Sequence, residues 1–502
     1  MPQTLVETDL MLLNLRADET QSARYARLAF DVPEGCGKLT VSMDVNTELS
    51  AQIPMILFDS EQHVRLMRAA NPAKGEAHTV YTLTPAKADK GCIPGPIPAG
   101  SWRLLLYKRR MYEDVLAHIT ISCEKACAMP AATQEESPAV RMLHDQPFSA
   151  QVPDPNPGWY CGELHTHSSE STGHTSLEVV VDTARRVGLD YIALTDHFTA
   201  SHWLKLQEVS DGKRPLLLQS MEISGDFGHA NVHGLHTWLN PLVDDNAELV
   251  DFLGLKERPS MSSIADDAHE QGALMCINHA LSGIMGWRYR EFPFEKADLY
   301  EVHCTSEIQT CMLYTTHWDM LLTRGYHLTG VGSSDSHHPT LRGPWQLGHV
   351  RTWIYADELS QPALLRGLKA SHVYVGIEGA RMEMCAACAG QSAMMGDTMV
   401  VPRGESFTVT MTMIDHPRGN LYLYSDGMQL DVIYYDQPGT DTYTLTYPES
   451  WIAPGGESYI RMEFHEAKEP PKFHGQAFRD YQSARLISNP IWFKRKENNT
   501  TC

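Results

Sequence analysis

The sequence predicts a central α/β domain flanked on both sides by β-rich segments, and three observations carry that expectation. Strand-like apolar runs alternate with amphipathic helical runs between about Trp159 and Ala380. Short strands punctuated by Gly and Pro fill the chain on either side, in the manner of β-sandwiches. Sixteen of the 24 histidines fall between His165 and His349, little more than a third of the 502 residues. A chain of this length exceeds one ordinary hydrophobic core, so several domains are expected.

Residues 1–127 read as the first β-rich domain, with strands in LTVSMDVN, IPMILFDS, TVYTLTP, SWRLLLYKRR and VLAHITISCE. Residues 128–157 form a linker rich in Pro, Ala, Ser and Gln, ending in PDPNPGW, which cannot continue a helix. Residues 158–383 hold the alternating pattern. YCGELHTH, DYIALTDH, LLLQSMEIS, ANVHGLHTW, ALMCINHA, DLYEVHC, LTGVGSSDSHH and VRTWIYA are its strands. LEVVVDTARRVG, ADDAHEQG, TCMLYTTHWDMLLTRG and ELSQPALLRGLKAS are its helices, the first closing on Gly188 and the third on Gly325. Such alternation implies a largely parallel sheet, either a barrel or doubly wound. Residues 384–502 return to strands, in SFTVTMTMID, NLYLYSDG, LDVIYYD, TYTLTYP and SYIRMEFHE.

Composition narrows the function classes. The formal net charge, 41 − 62 = −21, argues against nucleic acid or an anionic membrane as the main partner. A small anionic substrate stays compatible with it, because bound cations invert a local field. No signal-like start and no long apolar run is present, so a cytoplasmic location is expected. Eleven scattered cysteines suit a reducing compartment, and Cys385-Ala-Ala-Cys388 lacks a matching second pair.

The histidines and carboxylates carry the chemistry through their placement. His165 and His167 end the first α/β strand, Asp196 and His197 the second, and Glu222 the third. His279 follows ALMCIN, and Asp335 with His337 ends LTGVGSS. Ligand sites in parallel α/β folds gather at the carboxyl ends of strands. His-x-His and Asp-x-His on a strand place both side chains on one face. Together these residues fit a multinuclear metal centre. His303, His202, His317, His327 and His349 lack that placement and are read as structural.

The ordered motifs GELHTH, LTDH, MEIS, CINHA and GSSDSH resemble the PHP (polymerase and histidinol phosphatase) domain over about Trp159–Ala380. Gly228-His229, Gly332-Ser-Ser-Asp335-Ser-His337, Arg351-Thr-Trp and the late SARLISNPIWF are similar to its carbaryl-hydrolase-like (CehA/McbA-type) branch. The resemblance implies a distorted seven-stranded β/α barrel with two or three divalent ions, Mn, Zn or Fe. It assigns His165, His167, Glu222 and Asp335 to one ion. A second would share Glu222 and add His279 and His229, with His233 the rival for that position and otherwise counted among the catalytic groups. A third would use His197, His337 and a residue of the loop after His167. That loop has Thr172 where relatives carry aspartate, so His174 is the expected substitute and Glu170 the alternative.

The expected reaction is attack by a metal-bridging hydroxide on a phosphoester, with Asp196 orienting a ligand. Arg288, Arg290 and Arg342 lie on loops that should face the metals, where a guanidinium suits an anionic small-molecule ester. Trp287 and Trp345 equally suit an apolar pocket, which keeps carbamate or carboxyl-ester hydrolysis open. A catalytically weak, metal-stabilised binding module is the reading from another class. An amidohydrolase-type barrel is disfavoured because Glu222 stands where such barrels often carry a bridging lysine. The flanking domains are expected to shape substrate access or build a homo-oligomer.

Overall fold

The computed structural model describes residues 2–12, 25–46, 53–70, 77–108, 113–126, 151–243, 247–255, 259–469 and 483–496. Most of the expected linker, 128–150, lies outside them.

The N-terminal segment folds as β1 (Gln3–Leu12), β2 (Tyr25–Val32), β3 (Cys36–Asn46), β4 (Ile53–Phe58), β5 (Val64–Ala70), β6 (His78–Leu83), β7 (Gly100–Tyr107) and β8 (Val115–Lys125). These make two four-stranded sheets, ordered β1-β8-β3-β6 and β2-β7-β4-β5. All their pairings are antiparallel. The alternation Leu39, Val41, Met43 on β3 meets Met55 and Leu57 on β4 in one buried core. β1, β2 and β5 lie outside the strands expected from the sequence.

The central segment contains β9 (Gly158–Thr166), β10 (Tyr191–Leu194), β11 (Leu216–Gly225), β12 (Gly228–His233), β13 (Leu274–Asn278), β14 (Leu299–Cys304), β15 (Thr329–Ser333), β16 (Val350–Ala356) and β17 (Val373–Ile377). Six helices accompany them: α1 (Leu177–Val187), α2 (Ser201–Val209), α3 (Ala247–Leu253), α4 (Met261–Glu270), α5 (Cys311–Leu322) and α6 (Gln361–Lys369). In α1, Leu177, Val180, Val181 and Ala184 supply the buried stripe, and Gly188 at φ 73 closes the helix in the left-handed conformation. Ser260 and Ser263 cap α4 reciprocally. α2 and α3 lie outside the helices expected from the sequence. No helix among the described residues is long and apolar enough to cross a membrane.

The expectation of a largely parallel sheet needs correction. β9, β10 and β11 run parallel, as do β13, β14 and β15. β12 is antiparallel to both its neighbours, and β16 and β17 are antiparallel too. Only Asp226 and Phe227 separate β11 from β12, enough for a hairpin but far short of a crossover. The strand read through ANVHGLHTW stops at His233, where Gly234 turns away at φ 87.

The sheet also curls on itself. His167 N–H donates to the Ser336 carbonyl at 2.9 Å, and Ser336 N–H to the His165 carbonyl at 3.2 Å, joining the loop after β15 to the end of β9. Leu216 and Leu218 of β11 and Leu299 of β14 fill an apolar cluster. Further along the same sides of those strands stand Ser220, Glu222 and Glu301. One face of the curled sheet is therefore apolar toward the amino ends of these strands and polar toward their carboxyl ends.

The last segment comprises β18 (Arg381–Cys388), β19 (Gln391–Met394), β20 (Thr398–Val401), β21 (Ser406–His416), β22 (Gly419–Ser425), β23 (Met428–Tyr435), β24 (Gly439–Pro448), β25 (Glu457–Glu466), β26 (Ala484–Ser488) and β27 (Ile491–Arg495). A sheet ordered β19-β18-β21-β24 packs its Met384, Val409 and Met411 against Leu423, Met462 and Phe464 of β22 and β25. Because β26 pairs with β17, strand pairing continues from the central sheet into this segment. The position expected as a boundary, 383/384, lies within β18. Cys385 and Cys388 on that strand are free thiols, one exposed and one buried.

Candidate metal centre

The carboxyl ends of the strands converge on one buried cluster. Three groups have ligand atoms within 4.8 Å of one another: His165–His167–Asp335, His165–Glu222–His279 and His167–His197–His337. His165 and His167 are each shared by two groups, so the groups form a single centre. His229 joins it through Glu222, with Nδ1 2.9 Å from Oε1, and His197 Nδ1 lies 2.7 Å from Oε2. His165, His167, Glu222 and His279 are essentially inaccessible, whereas His337 is half-buried.

The backbone is strained at candidate ligands. His279 has φ 28, Asp335 φ 50, and Phe198, directly after His197, φ 59. Left-handed conformations at non-glycine residues cost on the order of 1 kcal/mol or more and concentrate at functional sites.

The buried carboxylates and imidazoles shift one another. Burial alone would raise the Glu222 and Asp335 carboxyls, yet the facing imidazoles outweigh it and hold both well below the usual carboxylate range. Burial opposes a charge on His165, but Asp335 and Glu222 raise it well above its ordinary value. Burial, with His197 beside it, lowers His167. Burial, with His167 beside it, lowers His337 to about 4.

Several buried imidazole nitrogens make no hydrogen bond: His165 Nε2, His167 Nδ1 and His279 Nδ1. Buried polar atoms are ordinarily satisfied, and an imidazole–carboxylate set of this kind fits a divalent ion of the Mn, Fe or Zn type. The residues present therefore fit the group expected of them.

No family model matches the chain, and no curated protein does. Among solved structures it is similar to a two-domain protein from Bacteroides vulgatus that contains a predicted PHP-like metal-dependent phosphoesterase. The match has 17% identity over 68% of this chain and 98% of the other, at a TM-score of 0.32. It is also similar to an amidohydrolase from Chromobacterium violaceum, with bound sulfate and no metal, at 17% identity over 43% of this chain and 98% of the other, TM-score 0.28. Likeness at that level assigns neither fold nor function, so the functional reading rests on the side chains themselves.

The remaining candidates divide. Asp196 is fully buried and organises the loop after His167: its carboxylate accepts from Ser168 N at 2.8 Å, Ser168 Oγ at 2.6 Å and Ser171 Oγ at 2.5 Å. His233 is buried against Ser220 Oγ at 3.0 Å, and burial drives its pKa down to about 3. His174 is not brought into the cluster; its ring is exposed and stacks on His338 with centroids 3.7 Å apart. The cause is local, because Gly173 presses against the His167 carbonyl, and the chain leaves this tight turn before His174. Glu170 is not aimed at the cluster either, since its carboxylate is engaged by Lys205, Ser201 and Gly91. Thr172 Oγ1 is buried without a hydrogen-bond partner.

Arg288 is exposed and held to the Asp226 carbonyl and over the Phe227 ring, while Arg290 and Arg342 are exposed. His202 is bound to the Leu194 and Ser220 carbonyls, His317 to Tyr300 and His327 to Glu457.

One residue escaped the sequence reading. Glu301 of β14 is buried, with Oε1 3.1 Å from His165 Nδ1 and Oε2 accepting the His279 backbone N–H at 2.6 Å. A glutamate inside the apolar strand LYEVHC was the available signal.

Proposed function

We propose that this chain is a PHP-type metal-dependent hydrolase of a phosphoester, carried by its α/β segment. The observation that carries the reading is the convergence of three overlapping ligand groups on His165 and His167, with buried donor atoms unsatisfied. His165, His167 and Asp335, then His165, Glu222 and His279, would hold two ions, and His167, His197 and His337 a third. When bound, such ions acidify water toward neutral pH and neutralise charge on the group being transferred.

The protein's own residues supply placement and charge. Glu301 fixes the ring of His165 and the backbone of His279, as carboxylates behind histidine ligands do. Asp196 holds the loop that follows His167. Glu222 and Asp335, held ionised by the surrounding imidazoles, bring negative charge into a largely buried site, where it attracts cations. Arg342 is the exposed cation suited to an anionic substrate oxygen.

A second reading, hydrolysis of an aromatic carbamate or carboxyl ester, is favoured by one feature. Trp287 and Tyr289 stack edge to face at 5.0 Å, and Tyr289 meets Phe227 at 5.9 Å. The adjoining backbone ties this cluster to the loops beside His229 and His279, through Arg288 N–Phe227 O at 2.5 Å and Trp287 N–Ala280 O at 2.6 Å. Assays of the metal-loaded protein with bis-p-nitrophenyl phosphate, p-nitrophenyl phosphate and 1-naphthyl N-methylcarbamate separate the readings. Turnover of a phosphoester above the carbamate supports the first, the reverse supports the second, and no turnover by fully loaded protein overturns both in favour of a binding module.

A further inference from the structure

The loop after His167 is clamped from outside the α/β segment. Arg68 Nη1, on β5, donates to the Ser169 carbonyl at 3.1 Å, and Lys90 Nζ donates to Ser169 Oγ at 2.9 Å. Glu170, only 3% exposed, accepts the Gly91 backbone N–H at 3.1 Å and the Ser201 hydroxyl at 2.9 Å, and its other oxygen pairs with Lys205. One carboxylate thus joins the N-terminal sheets, helix α2 and the loop. Gly91, at φ 77, leaves no room for a side chain beside Arg68 and Met67, so only glycine delivers its N–H from this turn. Aromatic packing adds a second contact, with Tyr107 of β7 edge-on to Phe198 at 6.1 Å.

Each contact falls beside a ligand of one group. Ser169 and Glu170 follow His167, Phe198 follows His197, and the His174 N–H reaches the His337 carbonyl at 2.9 Å from the far end of the same loop. Ser168 and Ser171 are meanwhile bound to Asp196, the residue before His197. A buried carboxylate without partners is costly, so Glu170 stays tied to Gly91, Ser201 and Lys205.

We infer that the N-terminal β-module is a positioning element for the His167–His197–His337 group, acting through Glu170 as the positioning residue; this rests on the metal-centre reading above. Without the clamp, the loop after His167 loses its fixed path and that group loses affinity, while His165–Glu222–His279, anchored by β9, β11 and Glu301, keeps its own.

The test measures bound ions per chain and their affinities in the full-length protein, titrating apoprotein with whichever of Mn²⁺ or Zn²⁺ the wild type retains. Glu170→Ala is compared with Glu170→Gln, which keeps the shape and one acceptor, and with the surface pair Arg68→Ala/Lys90→Ala, which leaves the buried carboxylate in place. The expected result is that Glu170→Ala loses the weakest ion or binds it at least tenfold more weakly. The tighter ions are unchanged, apoprotein Tm shifts little, Glu170→Gln recovers part of the loss, and the surface pair weakens the same ion. Wild-type affinity for every ion in both Glu170→Ala and the surface pair overturns the inference and leaves the metal centre standing. Equal weakening of all ions also overturns it, since Glu170 would then support the fold at large. A wild-type protein that binds no ion overturns the metal-centre reading itself.

Discussion

Glu301 Oε1 lies 3.1 Å from His165 Nδ1, so the imidazole shared by two ligand groups is oriented by a carboxylate on a strand that carries no expected ligand. The other oxygen of Glu301 accepts the His279 N–H and helps to hold His279 in its left-handed conformation. Replacing Glu301 by Gln keeps the shape but removes the charge behind both residues. Metal affinity should fall about 10–100-fold, measured by competition with a chromophoric chelator, with the far-UV spectrum of the fold retained.

Asp196 accepts three hydrogen bonds and donates none. In Asp196→Asn the amide keeps one acceptor oxygen for Ser168 N and Ser171 Oγ, so the Ser168 hydroxyl loses the oxygen it donates to, at a cost of about 1–3 kcal/mol. Tm should drop and turnover should fall. Denaturant unfolding and steady-state kinetics on the same preparation check both.

His233 gives the apoprotein a pH dependence of defined sign. Its folded pKa is lowered to about 3 from an ordinary 6.5, so the folded state binds the proton more weakly than the unfolded chain. The stability it contributes is complete above pH 6.5 and is lost as pH falls toward 3, on the order of several kcal/mol in all. Glu163 acts oppositely: burial pushes its carboxyl up to about 7, so its contribution is lost as pH rises from 4.5 to 7. Urea unfolding of metal-free wild type and His233→Gln between pH 4.5 and 7 should show the variant losing less stability on acidification. Parallel curves would contradict this assignment.

Arg461, buried on β25, pairs with Asp319 of α5 and with Glu463, and its guanidinium lies 4.3 Å from the Tyr424 ring centroid. This network couples the C-terminal sheet to a helix of the central segment. Asp319→Ala should destabilise the protein by about 3–5 kcal/mol, because Arg461 would be left buried with half its partners. Guanidinium unfolding measures it, and a change below 1 kcal/mol would contradict the coupling.

Much of the candidate site was legible because HTH, TDH, INH and SDSH sit where a strand becomes a loop, whereas Glu222 of MEIS lies within β11, three residues before its end. Strand direction was not legible in the same way, since β12 is buried along its whole length like a parallel strand and only the two-residue gap before it marks a hairpin. Glu301 was hidden because it lies inside β14, a strand without a motif that marks it. His174 was misread because nearness along the chain does not fix where a ring points, and packing of Gly173 on the His167 carbonyl sets the path there. The clamp from Arg68, Lys90 and Gly91 joins residues 79 to 101 positions apart, beyond the reach of any local pattern.

The most direct test of the central claim is metal content by mass spectrometry on purified protein, beside a His165→Ala/Asp335→Ala double variant that disables two of the three ligand groups. Two or three ions per chain in the wild type, lost in the variant together with ester hydrolysis, is the predicted result. Fewer than one ion per chain after reconstitution, or equal content in both proteins, would contradict it.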